Sequence, residues 1–367
     1  MTDSPAPLSV AFITDAPRVA GSEVWLLDVL PRLTEAGIRS TVFLSTAEPL
    51  DELARRFTEA GVPVERYSDL LTLPGRTGGF DLRVLQAWYP GNYRTLLPRL
   101  ASPCFVISHD QLDFHYPQPL RASYLEAYPW TKAAPFRRAD GVMTVSHWAG
   151  AFIRDRMRVR DVQVVTNGVK TDVYRPATPE ERQGLRAKHE FKRFTVLVPG
   201  RFAPEKNQLA SVLAARHVPE LDFVFTGDMD STVGTLAQAL KNRLRLGNVR
   251  FLGRRWDMPE LYRAADVLLQ PTLAENQSLV TLEAMSSALP IVTTPIPAQA
   301  ELVKDGLTGL LVPAQPRLLA TALQALAAHP ERARQLGLNA RQFVLDHHTI
   351  HHTAARAAEV LRAIARR

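Results

Sequence analysis

Cysteine is almost absent from this chain of 367 residues, which contains one, Cys104. A single thiol cannot form an internal disulfide, so the composition fits a reducing compartment. No stretch approaches the roughly 18 consecutive apolar residues of a membrane-spanning helix. The first residues, 1–7, do not join a positive segment to an apolar one, as a secretion signal would. These absences predict a soluble, non-secreted, cytoplasmic protein.

Lysine is also scarce, with seven residues in the chain. Arginine therefore supplies most of the positive charge, and the formal net charge is +7. Such an excess fits an anionic membrane surface, a nucleic acid, a phosphorylated substrate or only a solvated basic face. Aromatic residues are not interleaved with the arginines as in nucleic-acid binding proteins. We therefore predict no nucleic-acid partner, and peripheral contact with the inner membrane surface stays open.

Apolar strands alternate with amphipathic helices along most of the chain. Strand Leu8–Thr14 leads through a loop with Gly21 into helix Glu23–Ala36, and strand Arg39–Leu44 follows. This order of elements predicts parallel sheets and an α/β fold. The length exceeds one ordinary core, so we expect two such domains.

The best linker candidate is the polar, proline-containing stretch Tyr174–Lys188. We therefore predict one domain over residues 1–178 and a second over 179–345, with a helix at about 346–367 crossing back to the first. Two α/β halves of this kind bind ligands in the crevice between them, at the carboxyl ends of the strands.

Two carboxylates eight positions apart, Glu275 and Glu283, mark the centre of the second half. With Ser278 as N-cap, a helix over 279–287 places Glu283 on its second turn, in an apolar window. A carboxylate there needs a partner, either ligand hydroxyls or a backbone or arginine cap inside the core. Glu275 precedes the helix N-terminus, a place that favours phosphate.

Two cations, Arg201 and Lys206, follow the first strand of the second half and precede a helix. We expect both at the carboxyl edge of the sheet, where they would clamp a leaving diphosphate. The alternative for Arg201 is a surface ion pair with Glu205. In the first half, His109 follows strand Cys104–Ser108 and would either contact a sugar hydroxyl or hold a loop.

Two strings resemble metal-binding motifs. Asp228 and Asp230 have the Asp-x-Asp form, but they follow a strand and fit a turn better. The histidine pairs within 347–352 have helical spacing without a third kind of ligand, so they fit a polar helix face. We predict no metal site.

Together these residues resemble the group 1 glycosyltransferases, the retaining family four, in which two Rossmann-like domains of the GT-B fold face an interdomain cleft. The pair Glu275 and Glu283 matches the E-x7-E element of that family. The match continues through Leu289–Val292, Glu301–Val303 and Asp305–Pro313.

The resemblance implies roles for individual residues. Glu275 would lie by the donor sugar and Glu283 would bind the nucleotide ribose, while Arg201 and Lys206 would bind the diphosphate. His109 would be the acceptor-side histidine. The implied donor-binding residues are Gly21, Ser22, Gly200, Arg254, Asn276, Gln277, Ser278, Leu279 and Glu283.

The chain departs from the family pattern where glycines let the backbone approach the donor. Asn276, Gln277 and Ser278 replace the usual Gly-Phe-Gly, Ala288 replaces another glycine, and Ala298–Glu301 lacks glycine. The resemblance implies a retaining, metal-independent transferase that needs no cofactor besides its nucleotide-sugar co-substrate. The alternatives are a non-catalytic binder of sugar nucleotides or glycans and a sugar-nucleotide epimerase.

The acceptor, whether glycan, lipid or small molecule, would meet the loops Trp88–Arg94 and Asp110–Trp130. The second loop is rich in aromatic residues that would stack on a sugar, dock at a membrane or serve packing. They are Phe114, His115, Tyr116, Tyr124, Tyr128 and Trp130.

Overall fold

The computed structural model describes residues 7–19, 21–113, 119–128, 131 and 134–366, so Phe114, His115, Tyr116 and Trp130 lie outside the described residues. The chain forms two compact units, each with a parallel sheet. Their ranges are Met1–Leu112, Ala122–Asn167 and Ile350–Arg367 for the first unit, and Asp113–Arg121 and Gly168–Thr349 for the second. No helix among the described residues is long and apolar enough to cross a membrane.

The first unit contains a seven-stranded sheet in the order β3-β2-β1-β4-β5-β6-β7. Its strands are β1 Leu8–Thr14, β2 Ile38–Ser45, β3 Val64–Tyr67, β4 Leu82–Gln86, β5 Cys104–Ser108, β6 Gly141–Thr144 and β7 Val162–Val164. The helices of this part of the chain are α1 Gly21–Glu35, α2 Asp51–Glu59, α3 Leu73–Arg76, α4 Pro90–Leu96, α5 Leu120–Tyr128, α6 Ala134–Phe136 and α7 His147–Asp155.

The strand order reverses between β1 and β4, which pair in parallel with Phe12 opposite Val84. From β1 the sheet grows through β2 and β3 on one side and through β4 to β7 on the other. Ligands of open α/β sheets bind beside such a reversal, outside the carboxyl ends of the strands. In this unit those ends carry Asp15, Gln86 and His109.

The second unit contains a six-stranded sheet in the order β10-β9-β8-β11-β12-β13. Its strands are β8 Thr195–Pro199, β9 Asp222–Thr226, β10 Val249–Phe251, β11 Val267–Gln270, β12 Ile291–Thr293 and β13 Leu310–Leu311. The remaining helices are α8 Pro179–Lys188, α9 Gln208–Ala215, α10 Thr232–Leu244, α11 Met258–Ala264, α12 Leu279–Ser286, α13 Pro297–Leu302, α14 Pro316–Ala328, α15 Pro330–His347 and α16 Ile350–Ala365.

The prediction of a linker over Tyr174–Lys188 is wrong, because most of that stretch is helix α8. Thr178 caps this helix, with its side chain accepting a hydrogen bond from the backbone of Glu181. Arg182 and Arg186 both bind Asp266, which fixes α8 to the second unit. The units divide at 167/168 rather than at 178/179. The polar sequence therefore belongs to a surface helix.

The last helix, α16, belongs to the first unit, although the residues before it belong to the second. Its apolar face joins the core around α1 and β1, with Val360, Leu361 and Ile364 all buried. Arg362 donates a hydrogen bond to the carbonyl oxygen of Ala36 at the end of α1. The core of the first unit thus uses both ends of the chain.

Ala288, just after α12, has a φ angle of +56°, a left-handed conformation that strains an L side chain. We expect Ala288→Gly to raise the free energy of unfolding by about 0.5 to 1 kcal/mol, because released strain exceeds the added chain entropy. Urea unfolding measures this. The reciprocal control is Gly306→Ala, at φ +71° with open space around the added Cβ, which should lose a similar amount. A lower midpoint for Ala288→Gly would contradict the prediction.

Candidate active site

Two loops at the carboxyl edge of the second sheet carry most of the predicted site residues. The first follows β8 and contains Arg201 and Lys206, and the second follows β11 and contains Glu275. Helix α12 begins directly after the second loop. As predicted from the sequence, Ser278 is its N-cap, and the Ser278 Oγ accepts a hydrogen bond of 3.2 Å from the backbone of Thr281.

Backbone hydrogen bonds hold these two loops together. The carbonyl oxygen of Glu205 accepts bonds of 2.7 Å from the Leu273 backbone and 2.9 Å from the Thr272 hydroxyl. The side chain of Asn207 donates to the Pro271 carbonyl over 3.1 Å. Consequently the ammonium of Lys206 forms an ion pair with Glu275, and both side chains are largely buried, at 18% and 8% exposure.

Arg201 lies on the same loop, and its guanidinium binds Glu205 over 2.5 Å. Its side chain is 56% exposed, whereas that of Glu205 is 9% exposed. The ion pair with Glu205, which was the alternative to a diphosphate clamp, is therefore the observed contact. The exposed fraction of Arg201 leaves its guanidinium accessible to a ligand at this edge.

Gln270, the last residue of β11, was not predicted as a site residue from the sequence, and it is 3% exposed. Its Nε2 atom donates hydrogen bonds of 3.0 Å to Glu275 and to Ser278. Its Oε1 atom accepts bonds of 2.6 Å from Thr281 and 3.0 Å from Gln299. One buried amide thus fixes both the carboxylate of Glu275 and the cap of α12. The available signal was a single amide at the end of the apolar strand Val-Leu-Leu-Gln.

Glu283 lies half-buried on α12 and accepts a hydrogen bond of 2.8 Å from the hydroxyl of Tyr262. Burial, together with the nearby carboxylate, raises the pKa of Tyr262 well above its ordinary value, so the hydroxyl stays protonated and donates. Tyr262 is thus a core partner of a different kind from the backbone group or arginine expected from the sequence. Asn276, Gln277 and Ser278, which precede the helix, are all buried.

Gly200 and Arg254 belong to the same edge. The backbone of Gly200 donates to Thr226 over 2.9 Å, and that of Gly227 donates to Gly253 over 2.8 Å, which aligns the ends of β8, β9 and β10. The guanidinium of Arg254 lies 4.6 Å from the ring centre of Trp256, an exposed side chain. Arg254 therefore lies at the outer end of the edge, beyond Gly200.

His109, Gly21 and Ser22 belong to the first unit, in contrast to the residues above. Gly21 and Ser22 open helix α1. The ring of His109 packs edge-on against Trp25 at 5.5 Å between ring centres, and its Nε2 atom has no hydrogen-bond partner among the residues that the structure describes. Burial lowers the pKa of His109 to about 4, so the imidazole is neutral at pH 7.

Two buried acids of the first unit were not recognised from the sequence. Glu23, fully buried on α1, accepts hydrogen bonds of 2.7 Å from Gln86 and 3.3 Å from the Trp88 indole. Asp15 accepts bonds of 2.6 Å from the Trp88 backbone and 2.5 Å from Asn92, and burial raises its pKa. These acids fix the turn between β4 and α4. Glu23 directly precedes the apolar stretch Val-Trp-Leu-Leu, so, like Glu283, it could have been recognised as a single acid beside apolar residues.

The buried ring of His109 predicts a pH dependence of stability. The unfolded chain takes up a proton near pH 6.5, whereas the folded protein does so only near pH 4, so the free energy of unfolding falls between these values as the pH is lowered. We expect His109→Gln to lose less stability than the wild type over this range. Urea unfolding at a series of pH values measures it, and parallel profiles for the two proteins would contradict the assignment.

The two metal-like motifs form other structures. The carboxylate of Asp228 accepts a hydrogen bond of 2.8 Å from the Asp230 backbone, as in a turn. His347 and His348 pack against the ring of Phe343. The absence of a metal site remains a prediction.

One group of side chains in the described part of the chain has the spacing of metal ligands, namely His189, Asp257 and Glu260. Glu260 already binds Lys188 over 2.6 Å, and Arg255 binds Asp257 through its Nε atom over 2.8 Å. These ion pairs supply positive charge to both acids. The group is therefore well accounted for as an ion-pair network between α8 and α11.

Two family models match the chain. Residues 193–329 match the model described as glycosyl transferases group 1, and residues 19–173 match the model described as glycosyltransferase family 4. An alpha-maltose-1-phosphate synthase of Mycolicibacterium smegmatis is 29% identical over 308 residues, which are 76% of this chain and 77% of that protein. The putative glycosyltransferase EpsD of Bacillus subtilis is 32% identical over 187 residues, which are 48% of each protein.

Solved structures show the same fold. The crystal structure of HepE from Anabaena in complex with UDP and glucose has a TM-score of 0.83 at 20% identity, and the match covers 97% of this chain and 100% of that one. The structure of WaaG, a glycosyltransferase involved in lipopolysaccharide biosynthesis, has a TM-score of 0.71 at 18% identity, over 96% and 99% of the two chains.

The expectation of two Rossmann-like parallel-sheet domains is confirmed by this likeness and by the seven-stranded and six-stranded sheets. The two family models match consecutive parts of the chain, one on each sheet. The chain is thus an enzyme of the group 1 glycosyltransferases and belongs to glycosyltransferase family 4, with the GT-B fold.

Proposed function

We propose that this enzyme transfers a sugar from a nucleoside-diphosphate donor to an acceptor hydroxyl, with retention at the anomeric carbon and without a metal ion. The observation that carries the proposal is the buried ion pair of Lys206 with Glu275, which lies in the loop directly before the N-cap of α12. A carboxylate, an ammonium and the positive end of a helix dipole together suit a bound sugar diphosphate.

Without a donor, Glu275 neutralises Lys206. A diphosphate has more negative charge than one carboxylate, so it would draw the ammonium of Lys206 toward itself. Glu275 would then retain the hydrogen bond from Gln270 and present its other lone pairs to hydroxyl groups of the sugar. The exposed guanidinium of Arg201 would add a second cation. Charge that develops on the departing diphosphate would thereby be stabilised in place.

Retention would follow from attack on the same face of the sugar that the diphosphate leaves. In that reaction a phosphate oxygen takes the proton of the acceptor hydroxyl, so no protein side chain has to act as a dedicated base. The neutral imidazole of His109 would serve as a hydrogen-bonding group and not as a cation, because its pKa is about 4. Glu283, held by Tyr262, would accept hydrogen bonds from the ribose.

The similar structures of HepE contain UDP, glucose and UDP-glucose, so uridine diphosphate sugars are the first donors to test. A thermal-shift screen of nucleotide sugars identifies the base and the sugar together, because a ligand at a hundred times its Kd stabilises the folded state by about 2.7 kcal/mol. The donor that raises the melting temperature is then incubated with the protein, and nucleotide release is measured with and without EDTA.

Slow release of nucleoside diphosphate that EDTA does not abolish supports the proposal, and NMR of the product reports the anomeric configuration. The same measurement tests the alternative raised by the sequence, a non-catalytic binder of sugar nucleotides in which the buried residues Asn276, Gln277 and Ser278 replace the usual Gly-Phe-Gly. Such a binder would show the thermal shift and release no nucleotide. The two candidates therefore differ in one measurement.

A further inference from the structure

Six arginines cluster on the first unit, outside the site described above. They are Arg137, Arg138, Arg154, Arg156, Arg158 and Arg160, and all six are exposed. The acids between residues 134 and 161 are Asp140, Asp155 and Asp161. Six cations against three anions give this stretch a formal charge of +3, compared with +7 for the whole chain. Positive charge is therefore concentrated on one part of the first unit.

These arginines form no ion pair with any of the residues that the structure describes, whereas many arginines elsewhere do. Arg55 and Arg56 bind Glu52, for example, and Arg193 binds Asp222. The carboxylate of Asp140 instead accepts hydrogen bonds of 2.8 Å from the Ser102 hydroxyl and 2.6 Å from the Cys104 backbone. Among the described residues, most of this charge is therefore uncompensated.

The fold brings the two arginine-containing segments together. The first precedes β6 and the second runs from the last turn of α7 to β7, and β6 and β7 are parallel neighbours. Arg137 donates a hydrogen bond of 3.0 Å to the carbonyl oxygen of Met157, which joins the segments directly. Both lie at the amino ends of their strands. We call this surface, formed by the six arginines, the arginine edge.

The arginine edge and His109 lie at opposite ends of the first sheet, because His109 follows the carboxyl end of β5, the neighbour of β6. At a rise of about 3.3 Å per residue, the two edges of these short strands are roughly 15 Å apart. A partner bound to the arginine edge would therefore leave the carboxyl edge uncovered.

Guanidinium groups suit phosphates, which they bind through two parallel hydrogen bonds. Between residues 134 and 160 no large apolar or aromatic side chain is exposed, since Trp148 and Phe152 are partly buried in the core. The surface thus lacks both a platform for stacking nucleic-acid bases and an apolar anchor for insertion into a bilayer. An extended layer of phosphates that is bound by charge alone fits it best.

We propose that the arginine edge docks the first unit onto an anionic lipid surface, through contacts with headgroup phosphates and without insertion. Each basic side chain near such a surface contributes about fivefold to the partition coefficient, the equivalent of about 1 kcal/mol, and salt screens the attraction. Docking is therefore reversible and sensitive to ionic strength.

The test is co-sedimentation of the full chain with vesicles of phosphatidylglycerol and phosphatidylcholine, compared with pure phosphatidylcholine, at low and high salt. The test variant combines Arg154→Gln, Arg156→Gln and Arg160→Gln, three exposed arginines whose side chains form no hydrogen bond or ion pair with the described residues. The matched control combines Arg243→Gln, Arg317→Gln and Arg332→Gln, which remove the same charge from exposed positions of the second unit.

We expect the test variant to lose about a hundredfold in partition to the anionic vesicles, the control to bind like the wild type, and high salt to release all three. Equal binding of the wild type to both kinds of vesicle, or equal binding of the two variants, would overturn the proposal. Tighter binding of a short RNA than of the vesicles would also overturn it. Donor hydrolysis should be unchanged in the test variant, so a failure of docking is distinct from a failure of the proposed transferase activity.

Discussion

Lys206→Ala should lower the turnover of the sugar donor by about a hundredfold to a thousandfold, the usual effect of removing one group that stabilises charge in the transition state. The structure gives the reason, because Lys206 is a largely buried cation that pairs with Glu275 in the loop before α12. Its ammonium would be a direct countercharge for the departing diphosphate. Nucleotide release, measured at saturating donor, reports the loss.

Lys192→Ala is the matched control, since Lys192 is an exposed lysine of the same unit, and its turnover should equal that of the wild type. Lys206→Ala also leaves the buried carboxylate of Glu275 without its cation, so some loss of stability is expected alongside the loss of turnover. Circular dichroism at the assay temperature establishes that the variant is folded. Near-normal turnover by the folded variant would remove Lys206 from the mechanism.

Gly337→Ala should reduce the free energy of unfolding by about 2 to 3 kcal/mol, a typical cost of overpacking. An added Cβ would lie 2.0 Å from the carbonyl oxygen of Ala288, a backbone atom that has no rotamer to change. Helix α15 would have to move away from the end of α12, where Arg341 also binds the carbonyl of Ser286. Urea unfolding measures the loss.

Gly184→Ala provides the opposite control in another helix. Gly184 is exposed on α8, and an added Cβ there would meet no atom within 4 Å. Helix propensity alone predicts a gain of about 0.5 to 1 kcal/mol for this substitution. If Gly337→Ala were as stable as the wild type, the close packing of α15 on the end of α12 would be disproved.

Apolar periodicity was enough to predict the elements that are buried on both sides. Strands β1 and β5 begin and end at the residues expected from the sequence, because each is a mainly apolar run followed by polar residues. Helix α8 was mistaken for a linker since Pro179, at its first position, and its many charges are also typical of loops. Strand β3 was missed because Val-Glu-Arg-Tyr is short and half exposed.

The positions of the site residues along the chain were predictable, whereas their partners were not. Spacing from a strand end placed Lys206 and Glu275 at one edge of the second sheet, and the N-cap of α12 followed from local sequence. Gln270, which holds Glu275, and Tyr262, which holds Glu283, depend on how distant segments meet. Single-sequence patterns contain no information of that kind. The same applies to Asp15, whose role depends on bonds to the turn after β4.

The packing of α16 against α1 has a consequence for the order in which the protein forms during synthesis. When translation has reached Thr349, every residue of the second unit has been made, while the first unit still lacks α16. Chaperone binding and misfolding of nascent chains should therefore concentrate on the amino-terminal part. There, Val29 and Leu30 on α1 lack their core partners Leu361 and Ile364 until α16 has been made. A premature stop codon near residue 349 would accordingly destabilise the first unit, most of which is translated before the second.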